Sequence, residues 1–103
     1  MLFAFSVAPS VSEESGSVSA AVADAVRVVR DSGLPYELTS MFTTIDGDWD
    51  EVMPVIKAAC DAAAQHGPRV SLVLKADLRP GYADQLTAKA SRVREHLDQE
   101  GLA

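Results

Sequence analysis

The sequence predicts an α+β fold in which two strand–helix–strand halves build one four-stranded antiparallel sheet with two helices on one face, followed by an extra C-terminal helix. Three observations point there. Apolar side chains alternate with a period of two at Leu2 to Ala8, Tyr36 to Asp46 and Arg69 to Asp77, and recur at helical spacing between and after those runs. Glycine and proline, at Gly33 and Pro35, Gly67 and Pro68, and Pro80 and Gly81, punctuate most of the joins. At 103 residues the chain is expected to form a single domain over 1–103, long enough to bury roughly two thirds of its unfolded surface.

The first strand carries Phe3, Phe5 and Val7 on one face and Leu2, Ala4, Ser6 and Ala8 on the other, and Pro9, which lacks a ladder donor, is expected to end it. After a serine-rich loop, Val18, Ala21, Val22, Ala25, Val26 and Val29 form the buried stripe of a first helix from about Ser17, with Gly33 as its C-terminal cap. Tyr36 to Asp46 reads as two strands folded over a tight turn. Asp48 and Glu51 then have the spacing of a capping box for a second helix, whose stripe is Val52, Val55, Ile56, Ala59, Cys60 and Ala63. Pro54 lies in its first turns, where a missing amide hydrogen costs little, and Gly67 and Pro68 close it. The fourth strand places Val70, Leu72, Leu74 and Ala76 opposite Ser71, Val73, Lys75 and Asp77. A last helix is expected from about Tyr82 to Gln99, with a narrow seam of Leu86, Ala90, Val93 and Leu97. The order is that of the ferredoxin-like split βαβ pattern, βαββαβ.

Composition excludes several classes of function. Fifteen acidic and nine basic residues give a net charge of −6, which repels phosphate backbones and anionic membranes, so nucleic acid and membrane partners are not expected. The longest apolar run is far short of a membrane span. MLFAFSVAPS lacks the basic start of a secretion signal. The single cysteine, Cys60, rules out an intramolecular disulfide framework, and a cytoplasmic location is expected. Catalytic and metal-binding patterns are poor: His66 and His96 have no Cys or Asp at ligand or triad spacing, Cys60 falls on a buried stripe, and no glycine-rich phosphate loop exists. Trp49 reads as a packing residue, or as an anchor if it meets another subunit.

The polar residues of the hairpin are the informative ones. With Ser40 and Met41 as a two-residue turn, Thr39 opposes Phe42, Glu37 opposes Thr44 and Pro35 opposes Asp46. Tyr36, Leu38, Thr43 and Ile45 then face the helices as core, while Glu37, Thr39, Phe42, Thr44 and Asp46 face away, beside Ser6 of the first strand. Ser40 and Met41 are not favoured turn residues, and a one-residue slip would exchange the two sets. From the residues alone this face is either a wet or self-associating sheet surface, or a small-molecule site. In the second case hydroxyls and carboxylates would fix orientation and a flat cation would stack on Phe42.

The run GLPYELTSMFTTIDGDWDEVM resembles the thiamine-binding protein family, small proteins formerly grouped as a domain of unknown function, through its Gly-Leu-Pro-Tyr start, Thr-x-Met-x-Thr hairpin and Ile-acidic-Gly-Asp close. The Ser-Val-x-Pro at Ser6 to Pro9 and the Leu-Lys-x-Asp at Leu74 to Asp77 are similar too. Ser40 and Phe42 depart from that pattern, standing where a proline and often a glycine are expected. The resemblance implies a ferredoxin-like fold, a homo-oligomer (dimer or tetramer) assembled through sheets, and binding of thiamine or its hydroxymethylpyrimidine part without catalysis, cofactor or metal. The residues expected to carry that binding are Ser6, Glu37, Thr39, Phe42, Thr44 and Asp46, the hydroxyls serving the aminopyrimidine and the carboxylates the thiazolium cation. The alternatives are a small ferredoxin-like oxidoreductase or monooxygenase, which would want a His or an Asn and Trp cluster in the sheet, and a purely structural or regulatory oligomer.

Overall fold

The computed structural model describes residues 1–10 and 19–100. Its elements are β1 (Leu2–Pro9), α1 (Ser19–Asp31), β2 (Tyr36–Leu38), β3 (Thr43–Asp46), α2 (Trp49–Ala63) with a 3-10 turn at Ala64–His66, β4 (Val70–Asp77) and α3 (Gln85–Gln99). The sheet runs β2-β3-β1-β4 with every neighbour antiparallel. This is the expected α+β, ferredoxin-like arrangement with its added C-terminal helix.

The hairpin register is the one the alternation requires. Glu37 lies opposite Thr44, and the Thr39 amide donates to the Phe42 carbonyl at 2.9 Å. A Ser-Met turn is unfavourable by itself, and the neighbouring threonine compensates: Thr39 Oγ1 donates to the Phe42 carbonyl at 2.9 Å and accepts from the Phe42 amide at 3.3 Å. A side chain here does what a primed turn does with backbone alone.

The core lies between one face of the sheet and the two helices. Phe3, Phe5, Val7 and Ile45 pack beneath Ala25 and Val29 of α1 and Val52, Ile56, Ala59 and Ala63 of α2. Burying each larger side chain contributes about 1.5–3 kcal/mol. Helix α1 stops where Gly33 turns to φ 79°, a left-handed conformation that glycine adopts without strain. At the start of α2, Glu51 Oε1 accepts from the Asp48 amide at 3.2 Å, the return arm of the expected capping box. Trp49 meets Phe3 edge to face at 6.1 Å, as a packing residue does.

Several expectations are corrected. Tyr36 and Leu38 point toward the helix side but are not core, with Leu38 57% exposed. Helix α1 leans on α2 and β1 and leaves edge strand β2 uncovered. At the other edge α2 covers only part of β4, and Leu72 is exposed. Strand β1 does not end before Pro9: Pro9 pairs with Val70 and the Ser10 amide donates to the Arg69 carbonyl at 2.7 Å. Pro54 lies in the second turn of α2, within its first turns as expected, but far enough in that its missing N–H removes one true intrahelical bond, and the helix continues. Helix α3 begins at Gln85, not Tyr82, because Asp84 takes φ 57°, ψ 32°, a left-handed geometry that no α-helix passes through. The expected start of α1 at Ser17 and Val18 lies outside the described residues.

Candidate functional site

The face of the sheet away from α1 and α2 is organised in cross-strand rows. One row runs Glu37, Thr44, Ala4, Lys75, an acid at one edge and a base at the other. On one side of it lies the row Asp46, Leu2, Asp77, and on the other Thr39 and Phe42, then Ser6 and Val73. The six expected site residues therefore share this face, but they do not share one cavity.

Ser6, Thr39 and Phe42 border a notch of about 120 Å³ at the hairpin end. The notch exists because β3 is half the length of β1: pairing between them stops at Phe5 and Thr43, and the chain of the turn veers away. Val22 and Val26 of α1 and Leu38 of β2 wall its far side, so it passes from the open face toward the helix layer. The hydroxyl of Thr39 is engaged in closing the turn. Those of Ser6 and Thr44 have no hydrogen-bond partner among the described residues.

Glu37 is exposed and faces α3 across a groove of about 360 Å³ that Leu86, Ala90 and Arg94 also line. Asp46 is at the opposite end of the hairpin from the notch, roughly 13 Å along the strand from Phe42. It is only 6% exposed. Its Oδ2 accepts from the Gln85 amide at 2.8 Å, and its Oδ1 stands 3.7 Å from the Met1 amino group. A carboxylate against the first amides of a helix satisfies an orphan donor and complements the helix dipole. Beside it Asp48, Glu51 and Asp84 face a further cavity of about 390 Å³.

The structure over residues 3–94 matches in sequence the family model described as thiamine-binding protein. The chain belongs to that family. Among its relatives, the UPF0045 proteins of Mycobacterium bovis and Mycobacterium tuberculosis are each 50% identical over 99 residues, covering 94% of both chains. A solved structure of a hypothetical protein from Methanocaldococcus jannascii superposes with a TM-score of 0.80 at 28% identity, covering 91% of this chain and 95% of that one. A second, from Thermotoga maritima and assigned provisionally to thiamine biosynthesis or salvage, gives 0.76 at 25% identity over 89% and 96%.

Other features of this family member were not visible in its sequence. His66 Nε2 lies 2.6 Å from Asp24 Oδ2, across 42 positions of chain, and ties the turn after α2 to α1. That bond, with the Arg27 guanidinium at 2.6 Å, holds the Asp24 carboxyl below its ordinary range. Lys89 of α3 bonds Asp77 and lowers that carboxyl likewise. Burial, chiefly, pushes the Cys60 thiol up, away from the reactive thiolate. Among the described residues no group of three His, Cys, Asp or Glu side chains could hold a metal ion, and no helix is long and apolar enough to cross a membrane.

Proposed function

We propose that this chain is a non-enzymatic binding protein for thiamine or its hydroxymethylpyrimidine portion, acting as a cytoplasmic homo-oligomer. Membership of the thiamine-binding protein family over residues 3–94 carries the reading. The geometry supports it at the hairpin end of the open face. There, Ser6 offers a hydroxyl not engaged by the described chain and Phe42 a half-buried aromatic face, while one row along Thr44 adds a second such hydroxyl and Glu37 a counter-charge for a cation. Thr39 shapes the site by holding the turn. Asp46, expected as a second charge partner, has its carboxylate on α3 and acts from the far end of the strand.

Self-association has support in the surface. Helix α3 touches the sheet mainly at β3, and from Lys89 onward every described residue is exposed. Of its seam, Leu86 is half-buried against the sheet side while Val93 and Leu97 are exposed, and Val73 on the open face is exposed as well.

Calorimetric titration of thiamine, its phosphates and 4-amino-5-hydroxymethyl-2-methylpyrimidine tests the reading. Saturable heat with at least one of them is expected, and none at millimolar ligand would refute it in favour of a purely packing role. Thr44→Val is expected to weaken binding while leaving the oligomer's elution volume unchanged; a change of volume instead would assign Thr44 to a subunit contact.

A further inference from the structure

We infer that the unpaired edge of β1 at Val7 is the recognition element of this site: its main-chain N–H and C=O take the donor–acceptor edge of an amino-substituted heteroaromatic ring seated edge-on in the notch. This rests on the binding reading above and specifies where the ring sits and what reads it.

The ladder fixes which way each residue of β1 points. The Ser10 amide donates to Arg69 on the β4 side, and the Met1 carbonyl accepts from the Gly47 amide at 3.1 Å on the β3 side. Backbone groups alternate along a strand, so Phe3, Phe5, Val7 and Pro9 direct their N–H and C=O positions toward β3. Phe3 and Phe5 meet Ile45 and Thr43 there. The next partner, opposite Val7, would be Met41, but Met41 is in the turn and 74% exposed, and no described residue bonds the Val7 main chain on that side. The Val7 side chain is buried in the core, so the backbone carrying these groups is held firmly in place.

Pro9 is the second observation. Its missing N–H falls on this same unpaired edge, which is why a proline is accommodated within a strand that continues to pair with β4. The edge therefore offers one N–H with its C=O at Val7 and only a carbonyl at Pro9. An added peptide strand would find a donor missing, whereas a ring needs just the one pair. In an antiparallel ladder the absent partner of Val7 would present its own C=O and N–H. A ring nitrogen beside an exocyclic amino group presents the same acceptor and donor.

Size and lining agree. The open notch, about 120 Å³, is close in size to the ~150 Å³ cavity that holds a benzene ring in a protein, the scale of one six-membered ring. Val22, Val26 and Leu38 supply apolar contact, and Ser6 stands beside the main-chain pair to reach a ring substituent.

The test uses the full chain and 4-amino-5-hydroxymethyl-2-methylpyrimidine as probe, followed by amide hydrogen exchange and proton–nitrogen NMR. The Val7 amide is expected to exchange at least about tenfold more slowly with saturating probe and to shift downfield, while Phe5, already in the β3 ladder, changes little. The analogue lacking the 4-amino group is expected to bind about tenfold more weakly, the loss of one hydrogen bond. Calorimetric binding with Val7 exchange and shift unchanged, or equal affinity for the deamino analogue, overturns this inference and leaves the binding function standing. Absence of any binding heat for thiamine, its phosphates and the probe overturns both.

Discussion

Asp46 was expected among the ligand-binding residues, and its surroundings make a different and measurable statement. Replacing it with alanine removes the acceptor of the Gln85 amide, a donor in a residue that is 8% exposed. An orphaned buried donor costs about 1–3 kcal/mol, and the lost attraction between a carboxylate and a helix N-terminus adds about 0.3–1 kcal/mol. A destabilisation of about 2 kcal/mol is the working figure, which for a domain of this size lowers the melting temperature by roughly 8–16 °C. Asp46→Asn keeps a neutral oxygen in place and is expected to lose about half as much.

The assay is a thermal melt at fixed protein concentration, read together with hydrogen exchange of the amides from Gln85 to Lys89. Those amides are expected to lose protection in Asp46→Ala while the core strands keep theirs. The two roles of Asp46 separate in Asp46→Asn. If the carboxylate mainly anchors α3, affinity for cationic thiamine and for the uncharged pyrimidine changes little and equally. A selective loss of thiamine affinity with α3 protection intact, or an Asp46→Ala melt within a degree or two of the parent, would refute the anchoring role.

Other expectations are independent of this one. A Cβ at Gly47 would lie 2.8 Å from Val52 Cγ2, so Gly47→Ala is expected to cost about 1–3 kcal/mol by overpacking; Gly47→Ala with Val52→Ala should cost less than the sum of the two single changes in urea unfolding. The depressed Asp24 carboxyl contributes stability that is present above its ordinary pKa of 3.8 and drains away as pH falls through its lower folded value. The stability gap between the parent and Asp24→Asn should accordingly be open at neutral pH and close below about pH 3.8, and a gap that persists unchanged into that acid range would show that charge is not its source. Val93→Asp with Leu97→Asp alters a surface that is exposed on the subunit. It is expected to reduce the particle size by light scattering without changing far-ultraviolet circular dichroism.

Much of the fold was legible because alternation and helical spacing dictate it. The hairpin register could be written from the sequence, since only one pairing puts Ile45 and Thr43 in the core with Glu37 against Thr44. What alternation gives is direction, not cover. Tyr36 and Leu38 point to the helix side and remain exposed because α1 lies over β1 instead. The late start of α3 turns on the left-handed Asp84, a backbone choice no spacing announces. Parity placed Ser6, Glu37, Thr39, Phe42, Thr44 and Asp46 on one face, but the partner of Asp46 is 39 positions away in sequence. That carboxylate could not be told apart from a solvated one.

The unequal lengths of two neighbouring strands explain why a site can form on so small a sheet. β1 has eight residues and β3 four, so one must run past the other at some end. At the β3 end near Asp46 the chain closes its account with the Gly47 amide on Met1 and with α3 on Asp46. At the hairpin end nothing similar occurs among the described residues, although β4 supports β1 along its whole length and the core grips the side chains of Phe5 and Val7. The result is a rigid backbone with an unfilled hydrogen-bonding position, a combination that normally invites another strand. Pro9 blunts that invitation by withholding a donor. A fixed edge that is too poor in donors for a peptide and just sufficient for one polar ring is a better basis for selectivity than the exposed hydroxyls around it, because its groups are held by the β4 ladder and the core and need not be ordered on binding.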